Sequence, residues 1–202
     1  MTAFENPANQ PTGAPFAIRA ERSSDVAARE ALLDACFGVN RNLRTCQRLR
    51  DGRGPAEGLA FSAVRQEGQR DRLIGTVRLW HVDAGGVAAL VLGPLAVDPS
   101  CRKLGVGNAL MSHALAAAEA RGHGAVVLLG NAPYYAPFGF SARVAAGLAL
   151  PGPFERDRLL GLELRARALE GSSGMIVPTG AEEAQARPRV AARPRKLAAR
   201  AA

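Results

Sequence analysis

The feature that most restricts the fold is one continuous stretch, residues 88–130: AALVLGPLAVDPSCRKLGVGNALMSHALAAAEARGHGAVVLLG. It opens on an apolar run containing a proline, passes through a glycine-bearing connection into an alanine-rich helix, and closes on a second apolar run. An uninterrupted apolar strand such as 125–130 has to be covered on both faces. Gly93-Pro94 interrupts the first strand. Proline has no N–H to give to a ladder, so a bulge or a locally unpaired edge is expected there. A strand, a glycine loop, a helix and a doubly covered strand thus stand at the centre, which requires helices layered on a sheet.

The flanking sequence supplies the layers. FAIRA (16–20) reads as a short strand. SSDVAAREALLDACFG (23–38) reads as a helix with Ser23 or Ser24 as N-cap and Gly38 as stop. Residues 40–52 hold a second short helix. Segments 58–66 and 73–82 read as an antiparallel hairpin across a polar turn. Residues 132–141 are a short helix or turn running into an aromatic cluster, and 159–166 a late strand. The order β–α–(α)–β–β–β–α–β–α–β predicts an α/β fold of layered α+β type: a mixed, largely antiparallel central sheet flanked by helices. A chain of 202 residues suits one domain with a substantial core, expected over 15–178. Residues 1–14 read as a flexible leader.

Composition removes several function classes. Three cysteines, Cys36, Cys46 and Cys101, are an odd number without CxxC spacing, which argues for a reducing compartment and against a disulfide framework. The histidines show no ligand pairing, so no metal is expected. No apolar run is long enough to span a membrane, and the N-terminus has no signal-peptide core, so a cytoplasmic location is expected. The net charge is +8, and half of it comes from residues 181–202, with six basic and two acidic side chains. Residues 179–202 therefore read as a basic, disordered tail rather than a nucleic-acid-binding surface; apart from that tail, no RNA-reading pattern is present.

The glycines at the helix start invite an anion. A helix N-terminus offers unpaired N–H groups and a positive dipole end, and glycine lets backbone approach the ligand closely. The P-loop pattern GxxxxGK[ST] is absent. The dinucleotide fingerprint GxGxxG fails at its third position, Leu110, and the connection from the preceding strand is too long for that turn.

Arg102-Lys103-Leu104-Gly105-Val106-Gly107 instead fits [RQ]xxGx[GA]. This hexapeptide resembles the acetyl-CoA-binding loop of the GNAT N-acetyltransferase superfamily. VLGPLAVDP before it and NAPYYAPFGF after it are similar to a bacterial branch of that superfamily. The resemblance implies acetyl-CoA as co-substrate and an amine-bearing acceptor, with a homodimer left open. It implies that the loop Arg102, Lys103, Leu104, Gly105, Val106, Gly107 and Asn108 holds the pyrophosphate. It also implies that Leu95, Ala96 and Val97, on a splayed strand, offer backbone groups to the pantetheine arm. Tyr135, four residues before Gly139-Phe140, would be the general acid, with Tyr134 as fallback; Asn131, counted among the co-substrate-binding residues, precedes that short helix and would cap it. The general base stays open among a water chain, Asp98 and His81, since strand 88–97 carries no acidic residue. Trp80 reads as core, and Cys101 lacks the partners of a nucleophile. The alternative is a non-catalytic acyl-CoA-binding module on the same fold, associated with RNA through the tail.

Overall fold

Strand β4 (Ala88–Val97) alternates between two apolar layers. Leu90 and Leu92 enter one core cluster, Ala89 and Val91 another. The computed structural model describes residues 15–183; the predicted leader and the chain from 184 on lie outside the described residues. Around β4 the elements run β1 (Ala17–Ala20), α1 (Val26–Phe37), β2 (Ala60–Glu67), β3 (Arg70–Ala84), then after β4 α2 (Val106–Ala120), β5 (Ala125–Leu129), α3 (Ala132–Tyr135), β6 (Leu148–Ala149), β7 (Leu159–Glu163) and β8 (Gly174–Pro178). The sheet order is β1-β2-β3-β4-β5-β7, and β8 pairs with the end of β3 and with β6. All pairings are antiparallel except β4–β5 and β6–β8. The predicted mixed, largely antiparallel sheet with flanking helices is the observed fold.

Helix α2 buries Leu110, Met111 and Leu115 on one face of this sheet, each worth about 1.5–3 kcal/mol of transfer free energy. A Cβ at Gly75 would stand 2.9 Å from both Leu110 Cδ1 and Val106 Cγ1. That glycine therefore lets the first turn of α2 settle on β3, beside the end of β4. On the other face Trp80, Val82, Val91 and Val127 pack with Leu49, Leu148, Leu159 and Ile176.

Several expectations are corrected. Ser23 and Ser24 do not cap α1. They lie in a 3-10 turn, Ser23–Asp25, with Arg22 at the cap position. Asp25 stands at the α1 cap position but makes no side-chain cap bond to that helix; its carboxylate instead accepts the Arg22 N–H at 2.9 Å, the Ser62 hydroxyl at 2.9 Å and Arg19 Nη1 at 2.6 Å. Gly38 does stop the helix, at φ 81°. Residues 39–49 form two 3-10 turns, Val39–Leu43 and Thr45–Leu49, split by the extended Arg44. Arginine recurs too often there for an apolar stripe to form. The first five residues assigned to the tail are held on the domain: Gly54 N–H donates to Ala181 O at 3.0 Å, Glu183 N–H to Gly52 O at 2.9 Å, and Thr179 N–H to His81 O at 3.1 Å. Backbone pairing needs no apolar side chain, so composition gave no sign of it. Among the described residues no helix is long and apolar enough to cross a membrane.

Candidate active site

The site begins at the fault in β4. Leu92 pairs with Leu79 and Leu95 with Val77, so Gly93 and Pro94 together oppose Arg78 alone. This is a bulge, one residue longer on β4 than on β3. Gly93 has φ +133°, and a Cβ there would meet only Arg50 Nη1, at 3.9 Å. The backbone angle, not crowding, therefore requires glycine. Trp80 Nε1 donates to Gly93 O at 2.6 Å and holds the bulge in place.

The bulge has two consequences. The extra residue inverts the facing of the strand: before it the even-numbered Leu90 and Leu92 look toward α2, and after it Leu95 and Val97 do. The strand also departs from β5. Their parallel pairing is confined to Leu90–Val126 and Val91–Val127, so beyond Leu92 the β5-side edge of β4 faces a gap. Asp98 N–H donates to Ile74 O on β3 at 2.8 Å. Peptide groups two residues apart point the same way. The N–H and C=O of Ala96 therefore turn toward β3, while those of Leu95 and Val97 turn into the gap. Cys36 Sγ already approaches Val97 O there, at 3.4 Å.

The gap leads at one end to the start of α2. Gly105 occupies the cap position in a left-handed conformation, φ 75°. Val106 is buried and anchors the turn, while Arg102, Lys103, Leu104, Gly105 and Asn108 are exposed. Among the described residues neither Arg102 nor Lys103 makes an ion pair. A Cβ at Gly107 would lie 2.7 Å from Tyr134 Oη and 3.6 Å from Val97 Cγ2. Tyr134 thus reaches across the first helical turn only because Gly107 has no side chain.

At its other end the gap opens into a cavity of about 840 Å³. Its walls come from the bulge, from Asn131, Tyr134 and Tyr135, and from two segments that the sequence did not assign to the site, 37–50 and 153–158. These segments are tied together: Thr45 Oγ1 donates to Pro153 O and Arg48 Nη1 to Pro151 O, both at 2.5 Å. Tyr135 packs edge-on to Tyr134 and Phe140, with centroids 4.8 and 5.9 Å away. A Cβ at Gly130 would stand 2.2 Å from its ring, so that glycine makes room for it. Burial, reinforced by the neighbouring Tyr134, pushes the Tyr135 hydroxyl up to about 12, against a smaller opposing effect of Arg158.

The sequence matches the acetyltransferase (GNAT) domain family over residues 58–142, from just before β2 to just past Phe140. YhbS of Escherichia coli K12, named as an uncharacterized N-acetyltransferase, is 30% identical over 161 residues, covering 79% of this chain and 93% of YhbS. The chain belongs to the GNAT acetyltransferase family. The crystal structure of E. coli YhbS in complex with CoA matches this GNAT fold with a TM-score of 0.70 at 28% identity, over 85% of this chain and 93% of that one. A GNAT acetyltransferase from Brucella melitensis in complex with acetyl-CoA gives 0.51 at 26% identity, over 74% and 97%.

Within this GNAT fold, Leu95, Asn131 and Tyr135 come together around the cavity, and residues 102–108 lie at the loop end of the gap. Asn131 does not cap α3 with its side chain. Its carbonyl oxygen accepts the Tyr134 and Tyr135 N–H groups instead, at 3.0 and 3.4 Å. The two base candidates are set aside. Asp98 caps the 99–104 turn, accepting Ser100 N–H at 2.8 Å and Arg72 Nη2 at 2.6 Å. Hydrogen bonds from Ser100 hold its carboxyl below the ordinary range, and it does not line the cavity. His81 pairs with Leu90, at the other end of β4 from the gap, and its ring faces His123 at 5.4 Å. Cys101 is fully buried under the loop.

Proposed function

We propose that the protein transfers an acetyl group from acetyl-CoA to a primary amine of a small molecule or protein, by direct attack of the amine. The observation that carries this is the open edge of β4: two peptide groups, Leu95 and Val97, face a gap that joins a bare helix N-terminus to a cavity of substrate size. These residues fit the co-substrate. The first-turn N–H groups of α2, with Arg102 and Lys103, would hold the pyrophosphate, and Leu95 and Val97 would pair with the amides of the pantetheine arm as an added strand does. Acetyl-CoA supplies an activated thioester. The Leu95 N–H would donate to the charge that develops on the carbonyl oxygen, a preorganised arrangement that water cannot match. Tyr135 would donate a hydrogen bond from its hydroxyl to the departing sulfur, which leaves as the thiolate. Glu155 is the single carboxylate lining the cavity among the described residues; it is exposed and paired with Arg158 at 3.2 Å. The amine proton therefore leaves to water.

The test is calorimetric titration with acetyl-CoA, followed by CoA release across a mixed panel of amines. Saturable binding with amine-dependent release is expected. Binding without release from any amine would instead support a non-catalytic acyl-CoA module.

A further inference from the structure

The cavity is walled by arginine. Arg41, Arg44, Arg50 and Arg158 line it against one carboxylate, Glu155. Two of the four are paired with carboxylates, and a third lies at the rim. Arg41 Nε bonds Asp34 at 2.7 Å, and its Nη2 meets Glu30. Arg158 pairs with Glu155. Arg44 donates to Phe37 O at 3.2 Å and lies on the Phe37 ring, in the exposed rim. Arg50 differs. It is partly buried, and its Nε donates to Cys46 O at 3.2 Å, yet among the described residues no carboxylate lies within ion-pair distance of it. Asp51, beside it in sequence, is bonded to Gln47 instead, at 2.7 Å. Arg50 Nη1 hangs over the bulge, 3.9 Å from where a Gly93 Cβ would be. Burial pulls its pKa below the ordinary arginine range, against smaller opposing effects of Cys46 and Asp51.

A cation held partly out of water with no carboxylate at ion-pair distance is costly, and it is retained where something else supplies the charge. The guanidinium presents a planar fork of donors suited to an oxyanion. We infer that Arg50 receives an oxyanion of the acceptor, so that the amine substrate carries a carboxylate or phosphate close to its reacting nitrogen. This rests on the acetyl-transfer reading and narrows it: simple polyamines and other purely cationic amines are disfavoured by the four-arginine wall.

The experiment compares matched amines: alanine with alaninamide, glutamate with glutamine, and phosphoethanolamine with ethanolamine. Each is tested with the wild type, with Arg50→Met and with Arg50→Lys. The ratio of kcat/KM between the members of a pair, divided by the same ratio in Arg50→Met, cancels their different intrinsic nucleophilicities. A charge-assisted pair is expected to give about 10- to 100-fold preference for the oxyanionic member, reduced to within about threefold in Arg50→Met. The lysine variant should keep part of it. The carboxylate and phosphate pairs tell which oxyanion is read. An Arg50-dependent preference for succinyl-CoA over acetyl-CoA with ethanolamine would place the anion on the acyl chain and overturn the assignment to the acceptor. Equal or better use of neutral amines by the wild type would overturn it outright, while leaving acetyl transfer standing. A second readout does not depend on turnover or on the variants folding. Calorimetry with the wild type should show N-acetylalanine binding at least about tenfold tighter than N-acetylalaninamide; equal affinities refute the subsite.

Discussion

Replacing Tyr135 by phenylalanine removes one hydroxyl and keeps the ring against Phe140 and Tyr134. The size of the effect follows from the environment of that hydroxyl. With its pKa pushed up to about 12 by burial, it is fully protonated at neutral pH but is a weaker acid than free tyrosine, near 10. A thiol has a pKa of about 8.5, so complete proton transfer from Tyr135 to the sulfur would run uphill by about 4–5 kcal/mol. In the proposed reaction the hydroxyl would therefore act as a strong hydrogen-bond donor to a sulfur gaining negative charge, not as a full proton source. Such a bond is worth about 1.5–3 kcal/mol, which translates into a loss of about 10- to 150-fold. That lies mostly below the about 10²–10⁴-fold typical of general acids. The assay is CoA release under single-turnover conditions, with acetyl-CoA affinity measured separately. Turnover should fall while affinity and the urea midpoint stay close to wild type. The pH profile adds a check. A group that must stay protonated loses activity as pH rises through its pKa, so a value of about 12 predicts no alkaline decline from Tyr135 up to pH 10 or so. A decline near pH 8–9 that disappears in Tyr135→Phe would refute the desolvated-donor account. Turnover within about threefold of wild type would move the role to Tyr134.

Three further outcomes are expected. Gly107→Val should weaken acetyl-CoA binding by about tenfold or more with folding intact, because the new side chain would stand where Tyr134 Oη now lies, 2.7 Å from a Cβ; unchanged calorimetric affinity would remove the loop assignment. Asp25, held at about 2 chiefly by Arg19, is depressed in the folded state, so its contribution is complete above pH 4 and fades as pH falls toward 2. Asp25→Asn should cost about 1–2 kcal/mol at pH 7 after allowing for solvent screening, and only a small fraction of that at pH 2, read from urea midpoints at the two pH values. Ending the chain at Pro178 instead of Glu183 removes the backbone bonds to Gly52, Gly54 and His81 and should lower unfolding free energy by about 2–4 kcal/mol; equal stabilities would show that this strand-like contact is not held in solution.

The two halves of the site differ in how far the sequence reveals them. The co-substrate half is local. Strand, bulge, glycine loop and helix follow one another within 88–120, and each obeys a rule that acts over a few residues: proline cannot pair, glycine opens a helix start, and an apolar run demands cover on both sides. The spacing of Tyr135 to Gly139-Phe140 is local too, and Tyr135 lines the cavity. The acceptor half is not. Thr45 and Pro153 are 108 residues apart, and Arg48 and Pro151 are 103 apart. They meet through side-chain bonds to loop carbonyls, which leave no periodic trace. The trace that did exist was charge: Arg41, Arg44, Arg48 and Arg50 fall within ten residues, with no acidic residue among them. Closeness in sequence misled in the other direction. Asp98 adjoins the loop, but its carboxylate is spent on Ser100 and Arg72, and alternation along β4 turns its N–H toward β3. A one-residue bulge decides the rest. By inverting which side chains of β4 face α2 and releasing its edge from β5, Gly93-Pro94 converts an ordinary central strand into a backbone donor line. Arg50 Nη1 lies over the same bulge, 3.9 Å from where a Gly93 Cβ would be, so the proposed co-substrate line and the proposed acceptor subsite meet at one place in the fold.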